Sequence, residues 1–356
     1  ARATWPRRFD AMPKRLKLVL LSIHDLSVSI GPLLLILIAV LVAAYWWLDP
    51  QPPKHVTLAT GPTGSAYATF GQRYAQALAV NHIRVELKPT DGSADNLRLL
   101  RSGEADVAFV RGGGGDPAAD EAAGLTSLGS LFYEPLWVFY RTDVARRVDR
   151  KSGVLNSLTQ LKGLRVNVDK PGSGVPAIME KLFSANHLDA QSIQLSYLEP
   201  APAMQALLTG TLDAIVLASA PQSPLVQKLL RAPGIGLMDF PQSDAYSRRF
   251  AFLSAVTLPR GVVDLARDLP PHDVDLLAAT TSLLSREQTH PALRQLFAQA
   301  ALKLHGGAGW FHRVGEFPNT KTSELPVSPE GEQAINGTPP FYQRYLPFWA
   351  SNRVQR

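Results

Sequence analysis

The chain has 356 residues, of which 46% are hydrophobic and none is cysteine. This length suits one two-lobed domain or two small domains, and the absence of cysteine excludes disulfides, thiolate catalysis and Cys-ligated metal centres without fixing the compartment. Nearly all of the net charge of +6 lies in residues 1–24; the remainder carries 30 basic and 29 acidic side chains, which excludes the basic face of a nucleic-acid-binding domain.

A basic tail, residues 1–29, precedes an uncharged apolar run at residues 30–48 (IGPLLLILIAVLVAAYWWL). As a helix this run would cover about 28 Å, close to the hydrocarbon thickness of a bilayer. Basic residues before it and a Tyr-Trp-Trp cluster at its end match the positive-inside rule and the aromatic belt. We predict a single-pass protein of the bacterial inner membrane, with a cytoplasmic N-terminus and a periplasmic body. A cleaved signal peptide and a buried core helix are alternatives that fit these flanks less well.

Residues 49–54 are rich in proline and predict a stiff spacer. Beyond them, strand-like and helical patterns alternate, which predicts an α/β fold with parallel sheets and crossover helices. The predicted strands are residues 55–60, 83–89, 105–110, 136–141, 164–169, 193–198, 212–218 and 250–258. The predicted helices are residues 67–80, 94–102, 175–187, 202–209, 262–269, 273–285 and 291–304.

The two halves of this body resemble each other. Residues 99–110 (LLRSGEADVAFV) and 207–217 (LLTGTLDAIVL) both read as a helix that ends at a glycine and turns directly into a strand. We assign the chain to four successive parts: lobe 1 at 55–136, lobe 2 at 137–248, a return to lobe 1 at 249–312, and a C-terminal extension at 313–356. Two such lobes form a cleft, where ligands prefer to bind. The extension either rests on the membrane or a partner, or packs against the domain.

The segment Thr60–Tyr67 (TGPTGSAY) is a Gly-rich turn between the first predicted strand and the first predicted helix. Glycines let the backbone approach a ligand, and a helix N-terminus offers unpaired N–H groups and a partial positive charge, which suits a carboxylate. The turn lacks the glycine pattern of dinucleotide sites and the Gly-Lys-Ser/Thr of phosphate loops. A tight turn in which Ser65 only caps the helix explains the same residues equally well.

Two further Gly/Ser segments precede predicted helices. In the segment 91–96 (DGSADN), Ser93 fits an N-cap, and the amide of Asn96 either caps locally or faces the cleft. The segment 170–176 (KPGSGVP) opens the first helix of lobe 2. Together, the three helix starts place donors at the carboxyl ends of the strands, where open α/β folds bind ligands.

Arg111 follows a predicted strand of lobe 1 and precedes four glycines. At the end of a strand, an arginine can clamp a ligand carboxylate with two N–H groups; a surface arginine beside a flexible loop is the alternative. The sequence has no Gly-x-Ser-x-Gly elbow and no His-Glu-x-x-His pattern, and its eight histidines are scattered. We therefore predict no enzyme activity, no metal site and no cofactor.

These motifs together resemble the TAXI family of solute receptors, the extracytoplasmic components associated with tripartite ATP-independent periplasmic (TRAP) transporters. The resemblance covers residues 55–310 and implies an NMT1-like, type II periplasmic-binding-protein fold with a hinged cleft. It also implies a small organic anion as ligand, an amino-acid or oxo-acid carboxylate. The segments that carry it are Thr60–Tyr67, Gly92-Ser93-x-x-Asn96, Leu99-Leu100-x-x-Gly103-x-x-Asp106-x-Ala108, Gly172-Ser173-Gly174 and Ala206-Leu207-Leu208-x-Gly210-x-x-Asp213-Ala214.

The family motif also implies which residues line the site. Lobe 1 would contribute Gly61, Thr63, Gly64, Ser65, Tyr67, Ser93 and Asn96, and lobe 2 would close over the ligand with Ser173, Gly174 and Val175. Arg111 departs from the family pattern, in which Gln or Ser is more usual at that strand end, so the ligand class does not transfer directly. The anchor is a second departure, because many relatives are secreted. Residues 337–349 resemble the tail of tethered relatives in which a second transmembrane helix follows.

We therefore predict a membrane-anchored solute receptor that acts with an integral membrane partner, either a permease or a larger complex. Ligand binding would close the lobes and present a different surface to that partner. The alternative is an accessory or sensory subunit that uses the receptor fold without delivering solute. An enzyme on the same fold is a third hypothesis, but no nucleophile–base pair is visible.

Overall fold

The computed structural model describes Pro32 and residues 34–43, 53–189 and 191–337. The chain divides into two compact units, Ala1–Pro52 and Pro53–Arg356. In the first unit residues 34–43 are helical. Pro32 is described as well, whereas residues 30, 31, 33 and 44–48 of the predicted transmembrane segment lie outside the described residues, as does the basic tail. The transmembrane segment and the tail therefore stay predictions. Within the part of the chain that is described, no helix is long and apolar enough to cross a membrane.

Ten described strands of the second unit form one mixed sheet. They are β1 His55–Ala59, β2 Arg84–Lys88, β3 Val107–Arg111, β4 Leu125–Arg141, β5 Arg165–Asn167, β6 Gln194–Ser196, β7 Ala214–Ala218, β8 Ile235–Leu237, β9 Leu253–Leu258 and β10 Val274–Arg286. Their order is β2-β1-β3-β10-β4-β7-β5-β6, with β8 beside β4 and β9 beside β10. As predicted, β1 runs parallel to β2 and β3, and β5 runs parallel to β6 and β7. In contrast, β10 is antiparallel to both β3 and β4.

Helices connect most of these strands. They are α1 Ala66–Ala79, α2 Ser93–Ser102, α3 Pro117–Ala122, α4 Thr142–Val148, α5 Val175–Ala185, α6 Pro200–Thr209, α7 Pro224–Leu230, α8 Ser243–Arg249, α9 Pro291–His305 and α10 Pro329–Asn336. Five predicted helices are confirmed, namely α1, α2, α5, α6 and α9. The helix predicted at residues 262–269 is wrong, because this segment forms turns.

Two long strands, β4 and β10, run through both lobes. The first half of β4 pairs with β10, and its second half pairs with β7 and β8. The second half of β10 pairs with β3, and its first half pairs with β9. The helix predicted at residues 273–285 is therefore wrong. Both faces of β10 are buried, so its apolar run shows no alternation, and its 13 residues are long enough for a helix.

Each lobe has its own hydrophobic core. The core of lobe 1 includes Tyr74, Phe109 and Phe297, whereas that of lobe 2 includes Trp137 and Phe139. The strand β9 and the first half of β10 still pack in the core of lobe 2, so the chain re-enters lobe 1 only along β10 and then through α9. Motion of one lobe against the other would therefore bend β4 and β10, the two strands that both lobes share.

The internal similarity of the two lobes extends to an aspartate just before a strand. Asp106, just before β3, accepts a hydrogen bond from the backbone N–H of Thr57 in β1 (2.9 Å). Asp213, just before β7, accepts one from the backbone N–H of Arg165 in β5 (2.9 Å). Each aspartate is also paired with an arginine, Arg286 or Arg165 respectively. These acids, which follow the glycine that ends a helix, hold two strands together and lie away from the cleft.

The described part of the C-terminal extension packs against lobe 1. Asn319 pairs with Ser130 of β4 in an isolated β-bridge, and α10 packs against α9. Of the two alternatives for the extension, packing against the domain therefore holds for residues 313–337. Residues 338–356, with the second aromatic cluster, lie outside the described residues.

Candidate functional site

A cavity of about 200 Å³ lies between the two lobes. The carboxyl ends of β1 and β3 bound it in lobe 1, and the ends of β5 and β7 bound it in lobe 2. Open α/β sheets bind their ligands at this edge. Seven of the residues predicted for the site line this cavity: Thr63, Gly64, Ser65, Tyr67, Ser93, Arg111 and Ser173.

The helix α1 begins at the cavity wall. Ser65 is its N-cap, and the Ser65 hydroxyl accepts a hydrogen bond from the N–H of Ala68 (3.2 Å). Gly64, with a φ of 81°, turns the chain into the helix. The N–H groups of Ala66 and Tyr67 lie in the first turn, where a helix provides no preceding carbonyl. This end of α1 therefore presents donors and a partial positive charge to the cavity.

Two predicted residues of lobe 1 lie behind the wall of the cavity. Gly61 is buried, and a Cβ at this position would lie 2.9 Å from the hydroxyl oxygen of Ser65. Asn96 is fully buried, and its amide nitrogen donates to the carbonyl oxygens of Thr60 (2.6 Å) and Phe109 (2.8 Å). Asn96 therefore ties the ends of β1 and β3 together and does not face the cleft.

The lobe 2 segment also divides between wall and core. Ser173 ends a short 3₁₀ turn, Pro171–Ser173, and lines the cavity. Gly174, with a φ of 80°, joins this turn to α5. Val175 is buried in the core of lobe 2. Of these three residues, only Ser173 is in position to contact a ligand in the cavity.

Ser93 fixes the backbone of Arg111. The prediction that Ser93 caps α2 is wrong, because Gly92, with a φ of 135°, occupies the N-cap and Ser93 is the first helical residue. The Ser93 hydroxyl instead accepts a hydrogen bond from the backbone N–H of Arg111 (2.8 Å). This bond holds the end of β3, from which the arginine projects into the cleft.

Arg111 is a buried residue, not a surface arginine. Its side chain is 4% exposed and forms an ion pair with Glu134, which is 3% exposed, at 3.1 Å. The same oxygen of Glu134 accepts hydrogen bonds from the hydroxyls of Tyr67 (2.8 Å) and Thr281 (2.9 Å). Burial, and next the charge of Glu134, raise the pKa of Tyr67 well above its ordinary value, so Tyr67 stays a donor. A buried charge needs this degree of compensation.

The register of the strands explains how these residues meet. Thr281 of β10 lies directly opposite Arg111 of β3. On the other side of β10, Glu134 of β4 lies opposite Ala279, two residues from Thr281. Such diagonal neighbours on one face are within reach of long side chains. The network therefore spans three adjacent strands at the point where β4 and β10 pass between the lobes.

Arg111 also reaches lobe 2. Its Nη2 donates to the carbonyl oxygen of Ser173 at 2.6 Å. An arginine has five N–H donors, and Glu134 and Ser173 engage only two of them. Its Nε has no hydrogen-bond partner among the described residues. Arg111 therefore retains donors for an acceptor in the cleft.

Two further contacts join the lobes at the rim of the cleft. Lys170 of lobe 2 forms an ion pair with Asp91 of lobe 1 (2.6 Å) and another with Glu199 (2.7 Å). Lys181 donates to the backbone carbonyl of Gly113 at 2.8 Å. These side chains are more exposed than Arg111, so solvent screens their contribution.

Asp169 is a second buried carboxylate in the cavity wall. It follows β5 with a φ of 66°, a conformation that residues other than glycine rarely adopt. Burial raises the pKa of Asp169, while the N–H of Lys170 (2.7 Å) and the charge of Arg111 act in the opposite direction. Among the described residues, no basic side chain forms an ion pair with it. Asp169 is therefore available to a positively charged or donor group of a ligand.

Glu134 and Asp169 were not among the residues predicted for the site. Each is a single acid in or directly after a strand segment that is otherwise apolar, LFYEPLWVF and VNVD. A lone charge in such a segment must find a partner when the strand is buried. This pattern is the signal that would have identified both residues as candidates.

The chain is similar in fold to solved structures. A protein from Bordetella bronchiseptica RB50 is 14% identical, with a TM-score of 0.50, over 85% of this chain and 98% of that one. The alkanesulfonate-binding protein SsuA from Xanthomonas axonopodis pv. citri, bound to MOPS, is 17% identical over 82% and 86% of the chains, with a TM-score of 0.44. An amino acid ABC transporter substrate-binding protein from Streptococcus pneumoniae, bound to L-arginine, is 16% identical over 70% and 89%, with a TM-score of 0.43. At these identities the likeness concerns the fold alone.

A family model gives the assignment. The model of the NMT1-like family matches residues 58–307, which is most of the chain and includes both walls of the cleft. The mixed α/β sheet with a separate core in each lobe is the two-lobed α/β architecture expected from the sequence. The protein is therefore a member of the NMT1-like family.

Proposed function

We propose that this protein is a solute-binding receptor that takes a small carboxylate of the amino-acid or oxo-acid class into the cleft between its lobes. One observation carries this proposal: the N-terminus of α1 and the side chain of Arg111 face the same cavity. The helix end supplies free N–H groups and partial positive charge, and Arg111 supplies further donors. The hydroxyls of Thr63 and Ser173 also line the cavity and add polar partners.

The proposed setting is the periplasmic side of the bacterial inner membrane. The predicted segment 30–48 would anchor the receptor, and an integral membrane partner would read its state, as the resemblance to the TAXI family implies. Lobe 2 would close by bending at β4 and β10, and closure would bring Ser173 onto Arg111. A ligand drives this change only if the closed state binds it better than the open state does. We propose a receptor and not an enzyme.

The proposal is tested with the full-length protein in detergent. The thermal unfolding midpoint is measured with a panel of L-amino acids and the matching 2-oxo acids, and we expect at least one of them to raise it. The variant Thr63→Glu places a negative charge at the N-terminus of α1, so it should abolish this rise, whereas Thr63→Gln should keep it. Gln72→Glu is the matched control, because Gln72 is exposed on the same helix and lines neither the cleft cavity nor its neighbour.

A second function is an accessory or sensory subunit that does not deliver solute. The direct bonds between the lobes, Arg111 to Ser173 and Lys170 to Asp91, favour it, because the protein's own groups hold the lobes together. No stabilisation by any member of the panel, combined with co-purification in a membrane complex, would support this second function and reject solute delivery.

A further inference from the structure

A second cavity lies beside the first. Its volume is about 220 Å³, and it is enclosed by α1, the middle of β4, the segment 220–224 after β7, and the segment 304–312 at and after the end of α9. Neither the family motif nor the proposed carboxylate site assigns this space. Its size is similar to that of the first cavity.

The two cavities meet at the start of α1. Gly64, Ser65 and Ala66 line both of them, and so does Ser223 from lobe 2. The helix end that offers N–H groups to a carboxylate is therefore a shared wall. A ligand whose carboxylate binds there can extend its other end into the second cavity without leaving the interlobe groove.

Several aromatic rings line the second cavity. The rings of Phe70 and Phe132 stack with centroids 5.1 Å apart, and His305 lies 4.4 Å from Phe70 and 5.4 Å from Phe132. Trp310 and Phe311 line the cavity from the segment that follows α9. Rings at these separations accept a further ring in an offset or edge-to-face arrangement.

The charges around this cavity also select its occupant. No carboxylate side chain is among the described residues that line it. Burial lowers the pKa of His305 to about 3, so this ring is neutral near pH 7, and its Nε2 has no hydrogen-bond partner among the described residues. Among the described residues that line this cavity, Arg73 is the one arginine or lysine, and its guanidinium lies 5.6 Å from the centroid of Phe70. No carboxylate among these lining residues would pair with an ammonium group, and Arg73 already lies over the ring of Phe70, so the cavity favours a neutral ring on an anionic molecule.

We propose that the second cavity is an aryl-binding subsite, and that the ligand is a carboxylate with an aromatic ring two or three bonds away. The carboxylate binds at the N-terminus of α1, and the ring packs between Phe70 and Trp310. This inference rests on the proposed function, because it uses the same carboxylate position. It narrows the ligand class to aryl-substituted amino acids or oxo acids.

The test compares three probes on the full-length protein by isothermal titration. 3-Phenylpropionate carries both groups, propionate carries only the carboxylate, and 3-phenylpropanol carries only the ring. We expect 3-phenylpropionate to bind at least about tenfold more tightly than propionate, since burying a phenyl ring gives at least this gain. The variant Ala308→Trp should remove this advantage and leave the affinity for propionate unchanged, because Ala308 is an exposed residue on the wall of the second cavity alone.

Ala79→Trp is the matched control, since Ala79 is exposed on lobe 1 and lines neither cavity. Phe70→Leu, with folding checked by thermal unfolding, removes a ring from the wall and should also reduce the preference. Equal affinities for 3-phenylpropionate and propionate would overturn the aryl subsite and leave the carboxylate receptor standing. Binding of 3-phenylpropanol but of neither carboxylate would overturn the carboxylate anchor, and with it both proposals.

Discussion

The guanidinium of Arg111, on lobe 1, donates a hydrogen bond to the backbone carbonyl of Ser173, on lobe 2, at 2.6 Å. The same guanidinium is paired with Glu134 inside lobe 1. Arg111 is therefore both part of the buried core and part of the contact between the lobes. If lobe 2 moves away as proposed, the bond to Ser173 breaks, whereas the ion pair with Glu134 stays within lobe 1.

The buried pair of Arg111 and Glu134 predicts a non-additive effect on stability. Arg111→Met should lower the free energy of unfolding by about 3–5 kcal/mol, because it leaves Glu134 buried without a counter-charge. Arg111→Met combined with Glu134→Gln should regain a large part of this loss, since the remaining amide can still accept from Tyr67 and Thr281. Urea denaturation at pH 7 measures the free energy of unfolding of the single and the double variant. Equal losses in the single and the double variant would show that the pair is not coupled.

We predict that a side chain at Gly92 would hinder closure of the lobes. Its φ is 135°, and a Cβ there would lie 3.0 Å from the Cα of Ser173 across the cleft. Gly92→Ala should therefore weaken ligand binding, because it strains the turn and also opposes the approach of lobe 2. Gly163→Ala is the control, since Gly163 also has a positive φ but has no atom within 4 Å of its Cβ position. A similar loss of affinity in both variants would contradict a role for Gly92 in closure.

We predict that Asp169 lets the cleft distinguish amino acids from oxo acids. Among the described residues, no basic side chain forms an ion pair with its carboxylate, so the ammonium group of an amino acid would supply a direct counter-charge. Asp169→Asn should weaken the binding of an amino acid about tenfold or more, and it should leave the binding of the matching 2-oxo acid nearly unchanged. Titration of both ligands into both proteins measures the difference. An equal loss of affinity for the two ligands would mean that Asp169 supports the fold and does not bind the ammonium group.

We predict that His305 makes the free energy of unfolding depend on pH. Burial, and next the charges of His312 and Arg73, lower its pKa from 6.5 to about 3 in the folded protein. Since the unfolded chain binds the proton more readily, the stabilisation is complete above pH 6.5 and is lost as the pH falls from 6.5 towards 3. Between pH 7 and pH 5 this loss should be about 2 kcal/mol.

His305→Phe should remove this contribution, because phenylalanine has no proton to bind and suits the ring cluster of Phe70 and Phe132. Urea denaturation of both proteins at pH 7 and pH 5 measures it. If the variant loses as much stability between these two values as the wild type does, then His305 is not the group responsible.

The sequence predicts the local features of this fold better than the distant ones. The start of α1 at Ser65 follows from a Gly-Ser turn before an apolar helical period, and the structure has that cap. The C-terminal ends of α2 and α6, at Gly103 and Gly210, follow equally from local chemistry. β10 could not be recognised, because a strand buried on both faces has no period-2 pattern.

The candidate site shows the same limit. Arg111 was a candidate because it ends a strand, but its partner Glu134 is 23 residues away, and β10 lies between their two strands. Only the order of strands in the sheet brings the two together. The second cavity depends on residues from α1, β4 and the segment after α9, which no local pattern connects.

The pairing of Arg111 with Glu134 has a consequence for the release of solute. Because Arg111 has Glu134 as a counter-ion within lobe 1, a departing anion would leave the arginine still paired. No salt ion would have to enter to neutralise Arg111, so in the proposed receptor the opening of the cleft would limit release of the solute. Under the proposed function, this would let the solute pass readily from the receptor to its membrane partner.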